Sequence, residues 1–134
     1  MILENGTIVA VIDGEAMRLF RNRGHEPHVD LIGLPDPDLG VGNTGSGSRH
    51  RSSSANPDTR RIKEDDFAAA AAGYLNKEAL AGRIERLLIV ADPRTLGELR
   101  KHFHDTLAAK LTGEIAKDLT AHSAEAIQAA IADA

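Results

Sequence analysis

The chain has 134 residues, a formal net charge of −4 and no cysteine. That length suits one domain with a hydrophobic core of its own. The missing cysteines exclude a disulfide framework, a thiolate metal site and a cysteine nucleophile. The mild acidity argues against a protein that coats nucleic acid with its whole surface. We therefore expect a single domain over residues 1–134 that meets any anionic partner locally.

The start of the chain predicts three β-strands. Residues 7–13 form a short, β-branched and almost wholly apolar run, as a central strand would. Asp13 and Gly14 predict a tight turn into a second strand over residues 16–21. Residues 29–34, ended by Pro35, predict a third strand. The opening is therefore expected to be an antiparallel meander.

Residues 35–61 differ in composition from the rest of the chain. They hold four glycines, five serines and three prolines, with few apolar side chains. Such a segment buries too little apolar surface to offset the conformational entropy lost on folding, so we expect a flexible loop. Long loops in compact domains usually serve binding or catalysis, and a surface insertion without a role is the alternative.

Beyond this segment the pattern alternates between helix and strand. Asp58 or Thr59 is placed to cap a first helix, which is expected to end within residues 76–82. Residues 86–92 predict a second buried strand, and Pro93 then suits the first position of another helix.

An apolar stripe predicts that this second helix continues to Leu111. Residues 114–119 predict a short strand, and Ser123 is placed to cap a last helix. The order is βββ, loop, αβαβα. We therefore expect an α/β fold in which helices cover a mixed sheet, antiparallel at its start and parallel in its second half.

Two residue patterns lack the surrounding structure that their usual functions require. Gly40, Gly42 and Gly45 match the dinucleotide pattern G-x-G-x-x-G, but residues 35–38 separate them from the preceding strand and no helix pattern follows. His102 and His104 fall two residues apart on the predicted helix, on opposite sides of its axis, so they are not expected to bind one ion. We expect no metal site and no cofactor.

Asp13 and Asp92 each follow a buried strand, where acids can serve phosphate or metal chemistry. A turn for Asp13 and a helix N-cap for Asp92 are the structural alternatives, and caps are much commoner than catalysts.

Glu98, four residues before His102, is placed to form a weak pair with it.

Positive charge concentrates near residues 35–61. Residues 41–63 contain five basic residues and one aspartate, whereas the end of the chain is acidic. Arginine side chains and glycine backbone amides suit contacts with nucleic-acid phosphates. The candidate RNA-binding residues share this segment: Gly45, Gly47, Arg49, His50, Arg51, Arg60 and Arg61.

Three stretches carry a resemblance that covers most of the chain. Residues 87–101 read LLIVADPRTLGELRK, residues 114–120 read EIAKDLT, and residues 65–68 read DDFA. Together they resemble bacterial host attachment proteins, a family named for an attachment phenotype. That family is similar in fold to the middle domain of archaeal and eukaryotic peptide-chain release factors.

The release-factor resemblance implies a role for the loop. In that middle domain a Gly-Gly-Gln tip, between a strand and a long helix, enters the peptidyl-transferase centre. Residues 44–49 lie at the equivalent place in this chain, but Gly-Gly-Gln is absent and the only glutamine is Gln128. The resemblance therefore implies binding to the ribosome or to tRNA, and it argues against peptidyl-tRNA hydrolysis by this route.

We accordingly expect a non-enzymatic, translation-associated bacterial protein that binds RNA phosphates through its basic loop. A protein-interaction factor for attachment to host cells is one alternative. A hydrolase or nuclease using Asp13 or Asp92 is another. No apolar run approaches the roughly 20 residues of a membrane span, and no leader pattern is present, so a cytoplasmic location is expected. The oligomeric state stays open.

Overall fold

A computed structural model describes residues 1–40 and 57–134 of the chain. Within them, five strands form one sheet: β1 (Ile8–Ile12), β2 (Met17–Asn22), β3 (Leu31–Leu34), β4 (Leu87–Ala91) and β5 (Leu111–Ala116). The described helices are α1 (Pro57–Leu80), α2 (Pro93–Arg100), α3 (Asp105–Ala108) and α4 (Ala124–Asp133).

The sheet is mixed, as the sequence predicts. Its strand order is β3-β2-β1-β4-β5. The pairs β1–β2 and β2–β3 are antiparallel, and the pairs β1–β4 and β4–β5 are parallel. Strands β1, β3, β4 and β5 therefore run in the same direction and end at one edge of the sheet. We call this the carboxyl edge.

Both faces of the sheet are covered. Strands β1 and β4 are buried along their whole lengths, because they occupy the middle of the sheet. Helices α1, α2 and α3 pack on one face, where Phe67, Ala71 and Leu75 of α1 are buried at helical spacing. Alanines next to these residues let the helix lie close to the strands.

Helix α4 covers the other face. Its Ile127 and Ile131 are fully buried against alternate residues of the strands, among them Val9 and Val90. Ser123 caps this helix through its side-chain oxygen, which accepts a hydrogen bond from the Ala126 amide at 3.1 Å. The capping role predicted for Ser123 is therefore confirmed.

The region after β4 differs from its prediction. The expected continuous helix to Leu111 is wrong: α2 ends at Arg100, α3 is a separate turn, and Leu111 already begins β5. The amides of Lys101 and His102 bond to carbonyls three residues back, which tightens and ends α2. Strand β5 accordingly ends at Ala116, earlier than the predicted residue 119.

The first helix begins earlier than predicted. Helix α1 starts at Pro57, so Arg60 and Arg61 belong to its first turns and not to a loop. Proline has a fixed φ that suits a helix start, and arginine is a good helix former. Ahead of this helix, Leu39 is half-buried and packs against the hydrophobic core.

None of the helices within residues 1–40 and 57–134 is long and apolar enough to cross a membrane.

Candidate nucleic-acid interface

Asp13 organises the carboxyl edge next to β1. Its Oδ1 accepts hydrogen bonds from the amides of Glu15 and Ala16 at 2.8 and 2.7 Å, which closes the turn between β1 and β2. Its Oδ2 accepts a hydrogen bond from the Thr120 hydroxyl at 2.6 Å. The predicted turn role of Asp13 is confirmed, and both carboxylate oxygens have protein donors.

Asp92 ends β4 at the same edge. Its Oδ2 accepts a hydrogen bond from the Thr95 amide at 3.1 Å, so Asp92 is the N-cap of α2, as predicted. Capping satisfies an amide that the helix itself leaves unpaired. The position of Asp92 therefore has a structural explanation.

Arg18 fixes the connection between β5 and α4. Its Nη1 donates to the backbone oxygens of Thr120 and His122 at 2.9 and 2.7 Å. Its guanidinium carbon lies 5.0 Å from the ring centroid of Phe20, a distance typical of a cation–π contact. No local sequence pattern indicates this role, because the partner carbonyls lie about a hundred residues further along the chain.

A cluster of three charged residues joins the start of α2 to the start of α1. Arg94 Nη1 lies 3.2 Å from Glu64 Oε1, and Arg94 Nη2 lies 2.7 Å from Asp65 Oδ1. Gly14 lies directly against Glu64, since a Cβ added to Gly14 would stand 2.7 Å from Glu64 Cγ. The cluster therefore fixes α1 against both the β1–β2 turn and α2 at the carboxyl edge.

Arg60 and Arg61 extend from α1 beside this cluster. The side chain of Arg60 is 62% exposed, and its Nε lies 3.9 Å from Glu64 Oε2, at the outer limit of an ion pair. Arg61 is also exposed. Exposed guanidinium groups can donate paired hydrogen bonds to a phosphate, so these two arginines are available for such contacts.

The other predicted RNA-binding residues, Gly45, Gly47, Arg49, His50 and Arg51, lie outside the described residues. Their flanks are described: β3 ends at Leu34, and the 24-residue helix α1 begins at Pro57. The segment between them thus joins a strand to a long helix.

Gln128, in α4, makes a contact that holds the fold together. Its Oε1 accepts a hydrogen bond from the Leu31 amide at 2.8 Å, which ties α4 to β3. It is the only glutamine of the chain.

The histidine prediction was wrong in its geometry. His102 and His104 lie in the connection between α2 and α3, where both line one groove, and not on opposite sides of a helix. Glu98 pairs with Lys101 at 2.6 Å in place of His102. Across residues 1–40 and 57–134, no group of three or more histidine, aspartate and glutamate side chains is arranged to hold a metal ion.

A protein relative and a family model are both similar to this chain. The protein RP470 of Rickettsia prowazekii (strain Madrid E), described as uncharacterized, is 32% identical over 72 residues. The match takes in 52% of this chain and 48% of the relative, so the chain spans about half the relative's length. The model of bacterial archaeo-eukaryotic release factor family 12 matches residues 6–131.

The release-factor part of the sequence-based resemblance is thereby confirmed, while the attachment role stays a prediction. Because the match takes in nearly the whole chain, this protein belongs to bacterial archaeo-eukaryotic release factor family 12.

Proposed function

We propose that this protein acts in translation by binding phosphates of ribosomal RNA or tRNA. Membership in a release-factor family is the observation that carries the proposal. The contacts are assigned to the basic residues between β3 and α1 together with Arg60 and Arg61. The role is binding and not hydrolysis, since the Gly-Gly-Gln sequence is absent and Gln128 is engaged with Leu31.

The charge distribution supports a local contact. The chain as a whole carries −4, so long-range attraction to RNA is weak. Arg60 and Arg61 are exposed, and Glu64 is shared between the distant Arg60 and the closer Arg94. Arg94 lies closer to Glu64 than Arg60 does and also contacts Asp65, so the exposed Arg60 and Arg61 charges are available to an outside partner.

Co-sedimentation with ribosomes at increasing salt tests the proposal. Binding through phosphates releases counterions, so the observed affinity falls as salt rises. The double variant Arg60→Gln/Arg61→Gln is expected to bind more weakly, and its salt slope should be smaller by about one for each phosphate that it no longer neutralises. The matched control is Arg21→Gln/Arg23→Gln, which removes two exposed positive charges at the end of β2 and should leave the slope unchanged.

Salt-independent binding, or no co-sedimentation at all, would rule the proposal out. Nuclease treatment separates it from the protein-interaction alternative for attachment to host cells. A partner that is recovered equally well after nuclease digestion would favour that alternative. A hydrolytic activity that disappears in Asp13→Asn or Asp92→Asn would instead favour the enzymatic alternative.

A further inference from the structure

A groove of about 270 Å³ opens between α1 and the α2–α3 connection. Ala69, Gly73 and Leu80 of α1 form one side, and His102 and His104 face it from the connection. The groove is lined by α1 residues from Ala69 to Leu80, so its middle lies roughly 20 Å along the helix from Arg60 and Arg61, at about 1.5 Å per residue. It is therefore separate from the carboxyl edge.

The connection that carries the two histidines is held rigidly. The buried Asn76 donates from Nδ2 to the His102 oxygen at 2.8 Å, and its Oδ1 accepts from the His104 amide at 3.0 Å. Between them, Phe103 packs against the core. Both imidazoles are exposed, so a fixed backbone presents them to solvent at the groove.

The groove has a basic side chain but no acidic one among its described lining residues. Lys77 is exposed in the last turn of α1. The carboxylate of Glu98, four residues before His102, is paired with Lys101 at 2.6 Å. A cation and two imidazole rings thus face the groove, a combination that is complementary to a phosphate and can donate hydrogen bonds to it.

The opposite wall suits a flat ring. Ala69 carries only a methyl group, and a Cβ added to Gly73 would meet nothing within 4 Å, so a planar group can approach the helix closely. Histidine is among the side chains on which unstacked RNA bases stack. The phenyl and phenol rings of Phe67, Phe103 and Tyr74 pack on the core, so among the described aromatic groups the histidines are the ones available for stacking here.

We propose that this groove binds a single nucleotide of an RNA strand. The base lies between the Ala69–Gly73 wall and the histidine rings, and the phosphate lies against Lys77. The assignment to RNA rests on the proposed function, whereas binding of a nucleotide does not. The volume of about 270 Å³ is just below the roughly 300 Å³ at which small-molecule pockets begin, so the groove holds at most one nucleotide and leaves part of it in solvent.

Titration of the ¹⁵N-labelled full chain with adenosine 5′-monophosphate tests the proposal by NMR. We expect amide shifts at Gly73, Lys77, His102 and His104, with adenosine and inorganic phosphate each binding at least tenfold more weakly. Gly73→Gln is expected to abolish these shifts, because its side chain fills the groove while glutamine is a better helix former than glycine. The matched control is Gly97→Gln on α2, where a Cβ also meets nothing within 4 Å.

Lys77→Gln is expected to weaken nucleotide binding about tenfold, and the charge control Arg21→Gln to leave it unchanged. The proposal is overturned if the nucleotide shifts no groove amide, if inorganic phosphate binds as tightly, or if Gly73→Gln binds normally. The titration contains no ribosome, so a failure here leaves the salt-dependent co-sedimentation test of the proposed function intact. Conversely, loss of co-sedimentation in the arginine variant alone leaves this site standing.

Discussion

Buried polar side chains show how individual residues hold this fold together. Asn22 is fully buried, and its amide group donates to the Leu3 and Glu4 oxygens, both at 3.2 Å. Its oxygen accepts from the amides of Gly24 and Asp30, both at 3.0 Å. Four hydrogen bonds offset the desolvation of this one side chain, which fixes the end of β2 against the N-terminal segment.

Thr7 provides a contrast that can be measured. Its Oγ1 is the one buried side-chain polar atom within the described residues that has no hydrogen-bond partner. Thr7→Val removes that unpaired hydroxyl at nearly constant shape, so we expect the free energy of unfolding to rise by about 1 kcal/mol. Thr120→Val, which removes the donor to Asp13, is expected to lower it by about 1–2 kcal/mol. Urea unfolding followed by circular dichroism measures both, and equal effects of the two substitutions would contradict this reasoning.

The Glu78–Arg83 pair is expected to make the stability of the folded protein depend on pH. A hydrogen bond from Arg83, whose Nη2 lies 2.7 Å from Glu78 Oε2, lowers the pKa of Glu78 below its ordinary value of 4.5. The folded protein therefore holds this proton less tightly than the unfolded chain. The pair stabilises the fold above the ordinary glutamate pKa, and this contribution disappears as the pH falls through the lowered pKa.

Arg83→Met is the variant that tests this pair. It is expected to be less stable than the parent at neutral pH, by a small amount because the pair is exposed to solvent. The difference should shrink as the pH falls below 4.5. Urea unfolding at neutral pH and at about pH 3 provides the comparison. Arg23→Met, which breaks an exposed pair with Asp30, controls for the general loss of a surface charge.

At the scale of the elements, the start of α1 depends on a close approach to the β1–β2 turn. Gly14→Ala would place a Cβ 2.7 Å from Glu64 Cγ, so Glu64 must move away from Arg94. We expect a small loss of stability, below about 1 kcal/mol, because the flexible Glu64 side chain can move and its pair with the partly exposed Arg94 contributes little. Truncation by Glu64→Ala should remove most of the effect of Gly14→Ala, as a double-mutant cycle of thermal or urea unfolding would show. Additive effects of the two substitutions would disprove the close approach.

The break between α2 and α3 shows why element boundaries were harder to predict than elements. The apolar spacing through Leu99, Leu107 and Leu111 matches one long helix. The structure keeps Leu99 and Leu107 fully buried but interrupts the helix, because Asn76 of α1 binds the backbone on both sides of Phe103. A side chain 26 residues earlier in the chain decides this break, so no local pattern reveals it.

The candidate site was predicted only in part for the same reason. Local charge indicates the exposed Arg60 and Arg61, but it does not reveal that they lie in a helix. No local pattern indicates Arg18 or Arg94, because their partners are distant in sequence. The apolar spacing predicts His102 and His104 on opposite sides of a helix, but that helix ends before them and both line one groove.

At the scale of the whole molecule, the topology brings the ends of four strands to one edge. The β1–β2 turn, the start of α2, the β5–α4 connection and the start of α1 meet at the carboxyl edge through Asp13, Arg18 and Arg94. In open α/β sheets, ligand sites occur preferentially at this edge. The segment from β3 to α1 leaves from it, and the middle of the nucleotide groove lies roughly 20 Å away along α1.

The sequence by itself determined the presence of the strands and of the longer helices, the mixed character of the sheet, the turn role of Asp13, and the capping roles of Asp92 and Ser123. These features follow from periodicity, turn residues and capping, which act over a few residues. Only the tertiary structure decided where α2 ends, which carboxylates neutralise Arg94, and that both histidines face one groove. Those outcomes depend on contacts between residues far apart in the chain, whose geometry exists only once the sheet and its helices have packed together.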